Sequence, residues 1–363
     1  MSNINPYIPF YLSGLLVLAI GWFLFYATVQ SNKKEKKQTM TALGGFMIDL
    51  KYYYSTHRHE ILVGLVFIAA ILIRIPFLNR PPLDAHPMRQ NDTACVINFF
   101  TQHKTSFFKP KTCLIRPSTN SEGYFFLELP IYAGLTSIAQ QLTGGFNWWS
   151  IRMVNLALFT LAFWSLYLFV KQFWSQKTAL WSVLFFSFTP SSIFFFGQAI
   201  HPDVLMIAAL SVGLFFFSKY LINHDSKNLA LLIVSLNIAI ATRPFAALSL
   251  VPISILLLRK KQYKQTTLIF ISSFTLYGGW WLWQKRFPEA NHDWQNWVLS
   301  GREQLLKLPT LKYLIWKNVM GEVVGKVISL LAGLGFLFLL FKQHKRKLFV
   351  LSWLAMIPIC WLL

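Results

Sequence analysis

Apolar residues run along this chain in long unbroken blocks, separated by short polar and basic stretches. A bilayer core of about 30 Å takes around 20 apolar residues of helix. Blocks near that length occur at Pro9–Val29, Ile61–Leu78, Trp149–Val170, Thr178–Ile200, Val204–Leu221 and Thr266–Trp283. Shorter ones follow the same pattern at Leu229–Ala241, Phe245–Leu258, Lys326–Phe341 and Leu348–Leu363. The runs are continuous where a membrane barrel strand would alternate, so the pattern predicts an all-α, multi-pass transmembrane helical bundle of about ten spans. Phe125–Ala139 is apolar but interrupted by Glu128 and Pro130, and it reads as a helix lying at the surface. Val96, Phe99 and Phe100 keep helical spacing after Asn91 and Asp92, which predicts a second interfacial helix.

The basic residues assign sides. Lys33, Lys34, Lys36 and Lys37 follow the first block and hold its end in the cytoplasm. The segment before that block, Met1–Tyr7, carries no Lys or Arg and so lacks the basic region of a signal peptide. Alternating from there puts Lys171, Lys177, Lys219, Lys227, Arg259–Lys261, Lys264, Lys342 and Lys345–Lys347 on the inner side. A spanning Phe125–Ala139 would turn every later basic loop outward. The chain then reads as one polytopic membrane domain over residues 1–363. Residues 79–147 form a first extracytoplasmic loop with interfacial helices, and 284–325 a second large outer loop. Trp148, Trp149 and the tryptophans of 280–283 fall where an aromatic belt would sit. The last apolar block ends at Leu363 with no polar tail, the expectation for a chain whose C-terminus is truncated.

Composition agrees. The 363 residues are 55% hydrophobic and only 13% charged, about half the usual charged fraction, too little to cover a water-facing surface. The excess of 34 Lys and Arg over 13 Asp and Glu gives +21, a balance that elsewhere suggests nucleic acid. Here the basic residues flank apolar spans, so anionic lipid headgroups are the expected partner and nucleic acid is not. Three cysteines are too few for a disulfide scaffold or a thiolate metal site. Cys95 and Cys113 share the outer loop, where both pairing and separate packing stay open.

Charge retained next to the membrane marks function. The densest group is Arg80-Pro-Pro-Leu-Asp84-Ala-His86-Pro-Met-Arg89-Gln90-Asn91-Asp92, just past a helix exit. Other polar groups recur at outer helix ends: Glu128, His201 and Asp203 in a tight turn, and Arg243 in Ala241-Thr242-Arg243-Pro244. Arg74 lies inside the second span and needs a carboxylate, phosphate or carbonyl partner; a structural counter-charge to Asp84 or Glu128 is one reading. Acids and bases at one face and one depth suit an anionic lipid substrate. Phosphate-loop, His-Glu-x-x-His and Gly-x-Ser-x-Gly motifs are missing, and no inner loop exceeds about thirty residues, too few for a nucleotide-binding domain.

Arg74-Ile-Pro-Phe-Leu78 followed by a loop with Asp84 and Arg89 resembles the opening of GT-C superfold glycosyltransferases. Glu128-Leu-Pro-Ile-Tyr132, Gly144-Gly145, Arg152-Met-Val-Asn155 and the Pro190 to Asp203 segment resemble the aminoarabinose transferase and protein O-mannosyltransferase-like group (family 39-like). The resemblance implies sugar transfer from a polyprenyl-phosphate carrier to a lipid, glycan or protein acceptor on the extracytoplasmic face of the cell (inner) membrane. It also carries the reaction-centre acid onto Asp84 as catalytic residue; the polar groups gathered at that face, His86, Arg89, Glu128, His201, Asp203 and Arg243, are the candidate substrate-binding residues. Where the aminoarabinose transferases carry a phosphate-binding Lys before the Pro, this chain has Leu129, so Arg89 and Arg243 are the candidates for that work. No organic cofactor is implied, and a divalent cation stays open. The alternative class is a secondary transporter or flippase for an anionic or lipid-linked substrate, which would keep its ionisable groups near the midplane and often show internal repeats.

Overall fold

The structure is a computed structural model that describes residues 44–82, 87–103, 105–113, 122–287, 325–341 and 348–354. The Pro9–Val29 block, the Lys33–Lys37 cluster, Asp84, His86, most of the 284–325 loop and Cys360 lie outside the described residues.

The described chain is helical, and its single β-type pairing is an isolated bridge between Lys111 and Tyr124. In chain order the helices are α1 (Gly44–Leu72), α2 (Pro87–Gln102), α3 (Ile131–Leu142), α4 (Trp148–Phe173), α5 (Gln176–Phe188), α6 (Pro190–Ile193), α7 (Asp203–Asn223), α8 (Ser226–Thr242), α9 (Leu250–Arg259), α10 (Tyr263–Ser272), α11 (Thr275–Gln284) and α12 (Lys326–Phe341). Among the described residues, three helical stretches are long and apolar enough to cross a membrane: Arg58–Phe77, Trp148–Phe173 and Asp203–Asn223. A fourth is a broken pair, Gln176–Phe188 with Pro190–Gln198. Ser226–Thr242, Pro244–Arg259 and Ile328–Leu337 are shorter apolar helices. The architecture is thus an all-α, multi-pass membrane bundle, in which the described residues contain fewer full-length spans than the ten expected.

Three departures from the expected elements have local causes. The predicted span Thr178–Ile200 bends by 64°. Pro190 has no N–H to give and pushes Thr189 to extended backbone (ψ 142°), so the helix cannot continue through it. The predicted span Thr266–Trp283 is two ten-residue helices, α10 and α11. The surface helix expected over Phe125–Ala139 starts only at Ile131, immediately after Pro130.

The core lies between α4, α5, α7 and α8, with α1 against α5. Phe159, Phe163, Phe188, Phe196 and Phe217 are fully buried there. The short helical segment 348–354 docks onto it through Phe349, whose ring packs 5.0 Å from Phe173. Gly144 and Gly145 take φ of +83° and +135° in the α3–α4 turn, a conformation that a side chain would strain. Asn147 caps α4 through Ser150 N–H at 2.7 Å.

One buried cation stitches the broken helix. Arg74 is fully buried; its Nη2 donates to Ser187 C=O and Ser192 Oγ, both at 2.9 Å, and its Nη1 to Ala70 C=O at 2.6 Å. Its guanidinium lies 3.9 Å from the Phe159 ring centre. The expected pairing with Glu128 does not form. Its partners are two carbonyls, that of Ser187 at the Pro190 break and that of Ala70 one turn back, with the Ser192 hydroxyl, a weaker but sufficient match for a delocalised cation. Gly197 leaves room for this contact, since a Cβ there would meet Arg74 Cγ at 3.2 Å.

Cys95 and Cys113 are joined as a disulfide, which settles the alternative that the sequence leaves open. It clamps the chain just after Lys111, the first partner of the Lys111–Tyr124 bridge, onto α2, next to a hydrogen bond from Thr112 Oγ1 to Asp92 at 3.1 Å. The double Cys95→Ser/Cys113→Ser variant is expected to lose about 3 kcal/mol of stability, the scale for a closed loop of this size. Thermal unfolding of the purified protein with and without reductant checks it: the variant should show no further loss on reduction.

Candidate active site at one end of the bundle

Three segments of irregular backbone converge at one end of the bundle: the run into α3, the link between α6 and α7, and the link after α8. The first and third are joined directly, because Leu129 N–H donates to Ala241 C=O at 3.2 Å. That bond sets Glu128 beside Arg243.

The middle link is held by side chains. A π-helical turn at Phe194–Gln198 passes into extended chain at Ala199, which leaves backbone groups unpaired within the bundle. Arg152 donates to Gln198 C=O through Nη2 at 2.8 Å and Nε at 3.2 Å. Asn155 Nδ2 donates to Ala199 C=O at 2.7 Å and is itself held by Tyr132 O–H at 2.7 Å. Gln90 Oε1 accepts from Ile200 N–H at 3.0 Å. The link is therefore fixed from α2, α3 and α4 at once, and His201 and Asp203 are delivered at the start of α7. A carboxylate in the first turn also meets the positive end of the helix dipole.

Five expected residues meet in one charged cluster. Arg89, in the first turns of α2, is ion-paired with both oxygens of Glu128. Arg243 reaches Glu128 from the other side at 3.6 Å and is ion-paired through Nε with Asp203. His201 Nδ1 lies 3.1 Å from Asp203 Oδ2, and Arg243 Nη2 lies 3.1 Å from His201 Nε2. A neutral imidazole with its proton on Nδ1 satisfies both contacts, donating to Asp203 and accepting from Arg243. Burial lowers the pKa of His201; Asp203 opposes the shift, and Arg243 and Arg89 add to it. All five side chains are 10–17% exposed, so the cluster is largely dehydrated and its electrostatics are stronger than in water. Asp92 stands beside it with its pKa raised by burial, an effect that Thr112 and Arg89 partly offset.

The two arginines differ. Arg243 uses its Nε, Nη1 and Nη2 within the cluster. Arg89 leaves its buried Nε and Nη1 without a partner among the described residues. A small cavity of about 20 Å³, room for about one water, opens beside Glu128 among Thr93, Tyr132 and Pro202. Among the described residues no three His, Cys, Asp or Glu gather as a metal site.

Arg152, Asn155, Tyr132 and Gln90 were not among the expected site residues. Arg152 and Asn155 did carry a signal, being polar residues three apart inside an apolar span, which is costly unless partnered. Gln90 carried none, because its loop is polar throughout. The tryptophans also divide differently from the expected belt. Trp280 is buried and Trp283 turns inward, donating to Phe108 C=O at 2.8 Å, while Trp149 and Trp281 are exposed.

An all-α membrane bundle with an arginine–carboxylate cluster at one end, built on broken helices, defines an integral membrane protein whose polar chemistry lies at one end. Residues 129–278 match the family described as dolichyl-phosphate-mannose-protein mannosyltransferase. The match supports a membrane glycosyltransferase of the GT-C, protein mannosyltransferase-like kind. It contains His201, Asp203 and Arg243 and begins one residue after Glu128. No curated protein and no solved structure matches the chain.

Proposed function

We propose that this protein transfers a sugar from a polyprenyl-phosphate carrier to an acceptor on the extracytoplasmic face of the cell membrane. The observation that carries the reading is the cluster itself, above all the buried Nε and Nη1 groups of Arg89, which find no acceptor among the described residues. A phosphate oxygen is the acceptor that matches such a charge-assisted donor, and the remaining nitrogen of the guanidinium, Nη2, stays on Glu128.

In the reaction, the acceptor hydroxyl oxygen bonds to the anomeric carbon as the bond from that carbon to the phosphate oxygen breaks. The electron pair leaves with the carrier phosphate, whose charge Arg89 receives. Asp84 takes the acceptor proton. Glu128 and Asp203 hold Arg89 and Arg243 in place and keep the cluster electrically balanced. The gathering of charge at one end, away from the bundle middle, favours a transferase over a transporter.

Sidedness is supported by two features. Lys171, Lys219 and Lys260 lie at the opposite end from the cluster, as inner basic residues would. The Cys95–Cys113 disulfide belongs to the cluster's end and suits an oxidising compartment.

The test is Arg89→Lys in the full chain reconstituted in neutral nanodiscs with a polyprenyl-phosphate sugar. It keeps the charge and loses the fork, so the KM for donor should rise roughly ten- to a hundredfold while the KM for acceptor stays near normal. Normal donor affinity in an Arg89→Lys/Arg243→Lys protein would overturn the assignment. An impermeant thiol reagent on intact cells should label a cysteine at exposed Thr143 and spare one at Lys177; the reverse would overturn the sidedness.

A further inference from the structure

Next to the charged cluster, a second surface carries cations on aromatic rings. Trp280, Trp283 and Phe287 recur at helical spacing along one face of α11 and its continuation. The Phe126 ring packs 5.5 Å from Trp280, 5.0 Å from Phe287 and 5.7 Å from Tyr124. Trp283 completes the group, 5.7 Å from Phe287 and 6.0 Å from Phe108. Three cations ride on these rings: Lys109 at 5.5 Å from Phe287, Lys111 at 5.3 Å from Tyr124 and Arg286 at 5.2 Å from Trp283. Against them the described residues set one carboxylate, Glu122, 2.7 Å from Lys111. Lys109 and Arg286 are exposed and have no carboxylate partner among the described residues.

This surface differs from an ordinary membrane belt. The belt is represented on the other face of α11, where exposed Trp281 carries Lys285 at 3.5 Å. The Phe126 side instead turns toward the site: Phe126 is two residues from Glu128 and packs on the cluster of Leu129, Ala241 and Trp280. Flat rings offer the contact that sugar C–H faces use, and Lys109 and Arg286, with no carboxylate partner among the described residues, offer charge to an anionic substituent. A lipid headgroup would need the cations alone.

We propose that this cation-bearing aromatic platform is the acceptor subsite, and that the acceptor is an anionic saccharide carrying phosphate or carboxylate groups. The proposal rests on the transferase reading of the cluster beside it. Rings half-buried in the protein hold the sugar, while Lys109 and Arg286 select for negative charge, and Phe126, packed on Leu129 and Ala241, sets the platform beside the cluster that holds Glu128 and Arg243.

The test uses the full chain in phosphatidylcholine nanodiscs and two probes, a hexasaccharide carrying one phosphate and its unphosphorylated counterpart. The phosphorylated probe should bind roughly tenfold tighter, a preference that shrinks at high salt. Lys109→Gln/Arg286→Gln should abolish the preference and leave binding of the polyprenyl-phosphate sugar unchanged. Trp283→Leu should weaken both probes alike. Equal binding of the two probes, or a preference that survives the double substitution, overturns the proposal. So does displacement of the phosphorylated probe on changing the nanodisc to phosphatidylglycerol, which would assign the cations to lipid headgroups. Should Arg89→Lys leave donor affinity intact while the saccharide results hold, the donor reading fails and the anionic-saccharide subsite stands.

Discussion

Exchanging Asp84 for Asn is expected to cut turnover by roughly 10²–10⁴-fold while the protein folds and binds donor lipid as before. Asn keeps the size and hydrogen-bonding shape of the side chain and cannot accept the acceptor's proton. The other carboxylates are engaged. Both oxygens of Glu128 face Arg89, and Asp203 uses Oδ1 for Arg243 and Oδ2 for His201. A carboxylate locked between cations is a poor proton acceptor, because protonation would leave a buried arginine uncompensated. Asp203→Asn and Glu128→Gln should therefore act through Arg243 and Arg89, loosening donor binding and lowering stability before they change the chemical step. Single-turnover rates with saturating donor, alongside donor affinity, separate the cases. Near-normal turnover in Asp84→Asn with collapse in Asp203→Asn would move the proton transfer to the turn before α7.

Replacing Arg74 by Leu is expected to cost about 2–5 kcal/mol of stability, a large share of what a folded domain has to lose. The substitution removes the donors that satisfy Ser187 C=O and Ser192 Oγ and empties part of the space over Phe159. The Ser187 carbonyl at the Pro190 break would then be left unpaired in a dry interior, while the link that carries His201 and Asp203 keeps its anchors on Arg152, Asn155 and Gln90. Arg74→Lys should be intermediate, since a single ammonium cannot span the same acceptors. Thermal unfolding in detergent and the yield of monodisperse protein measure the effect. Unchanged unfolding with a lost donor affinity would make Arg74 a ligand-binding group and not the brace described above.

How far the site could be anticipated depended on the kind of signal. Arg89, Glu128, His201, Asp203 and Arg243 stood out because a membrane chain keeps few charges and these recur at helix ends on one predicted side. That logic selects positions but says nothing of who pairs with whom. Arg74 was legible as an anomaly that needs a carboxylate, phosphate or carbonyl partner, and carbonyls are what it finds, but one of them and the Ser192 hydroxyl lie 113 and 118 residues away on a helix break, which no local pattern indicates. Gln90 was invisible, because its role is to satisfy the N–H of Ile200, 110 residues later.

By itself the sequence determined the membrane class, the helical architecture and, within a few residues, helices such as Trp148–Phe173 and Asp203–Asn223. Without water in the bilayer core each helix must satisfy its own backbone, so continuous apolar runs of the right length leave little choice. The tertiary structure alone decided that Arg89 pairs with Glu128 and Arg243 with Asp203, that Trp283 turns inward, and that a bent helix is braced by Arg74. Those outcomes depend on how segments some 40 to 175 residues apart pack against one another, where an ion pair or a freed carbonyl is a relation between distant surfaces and leaves no periodic trace along the chain.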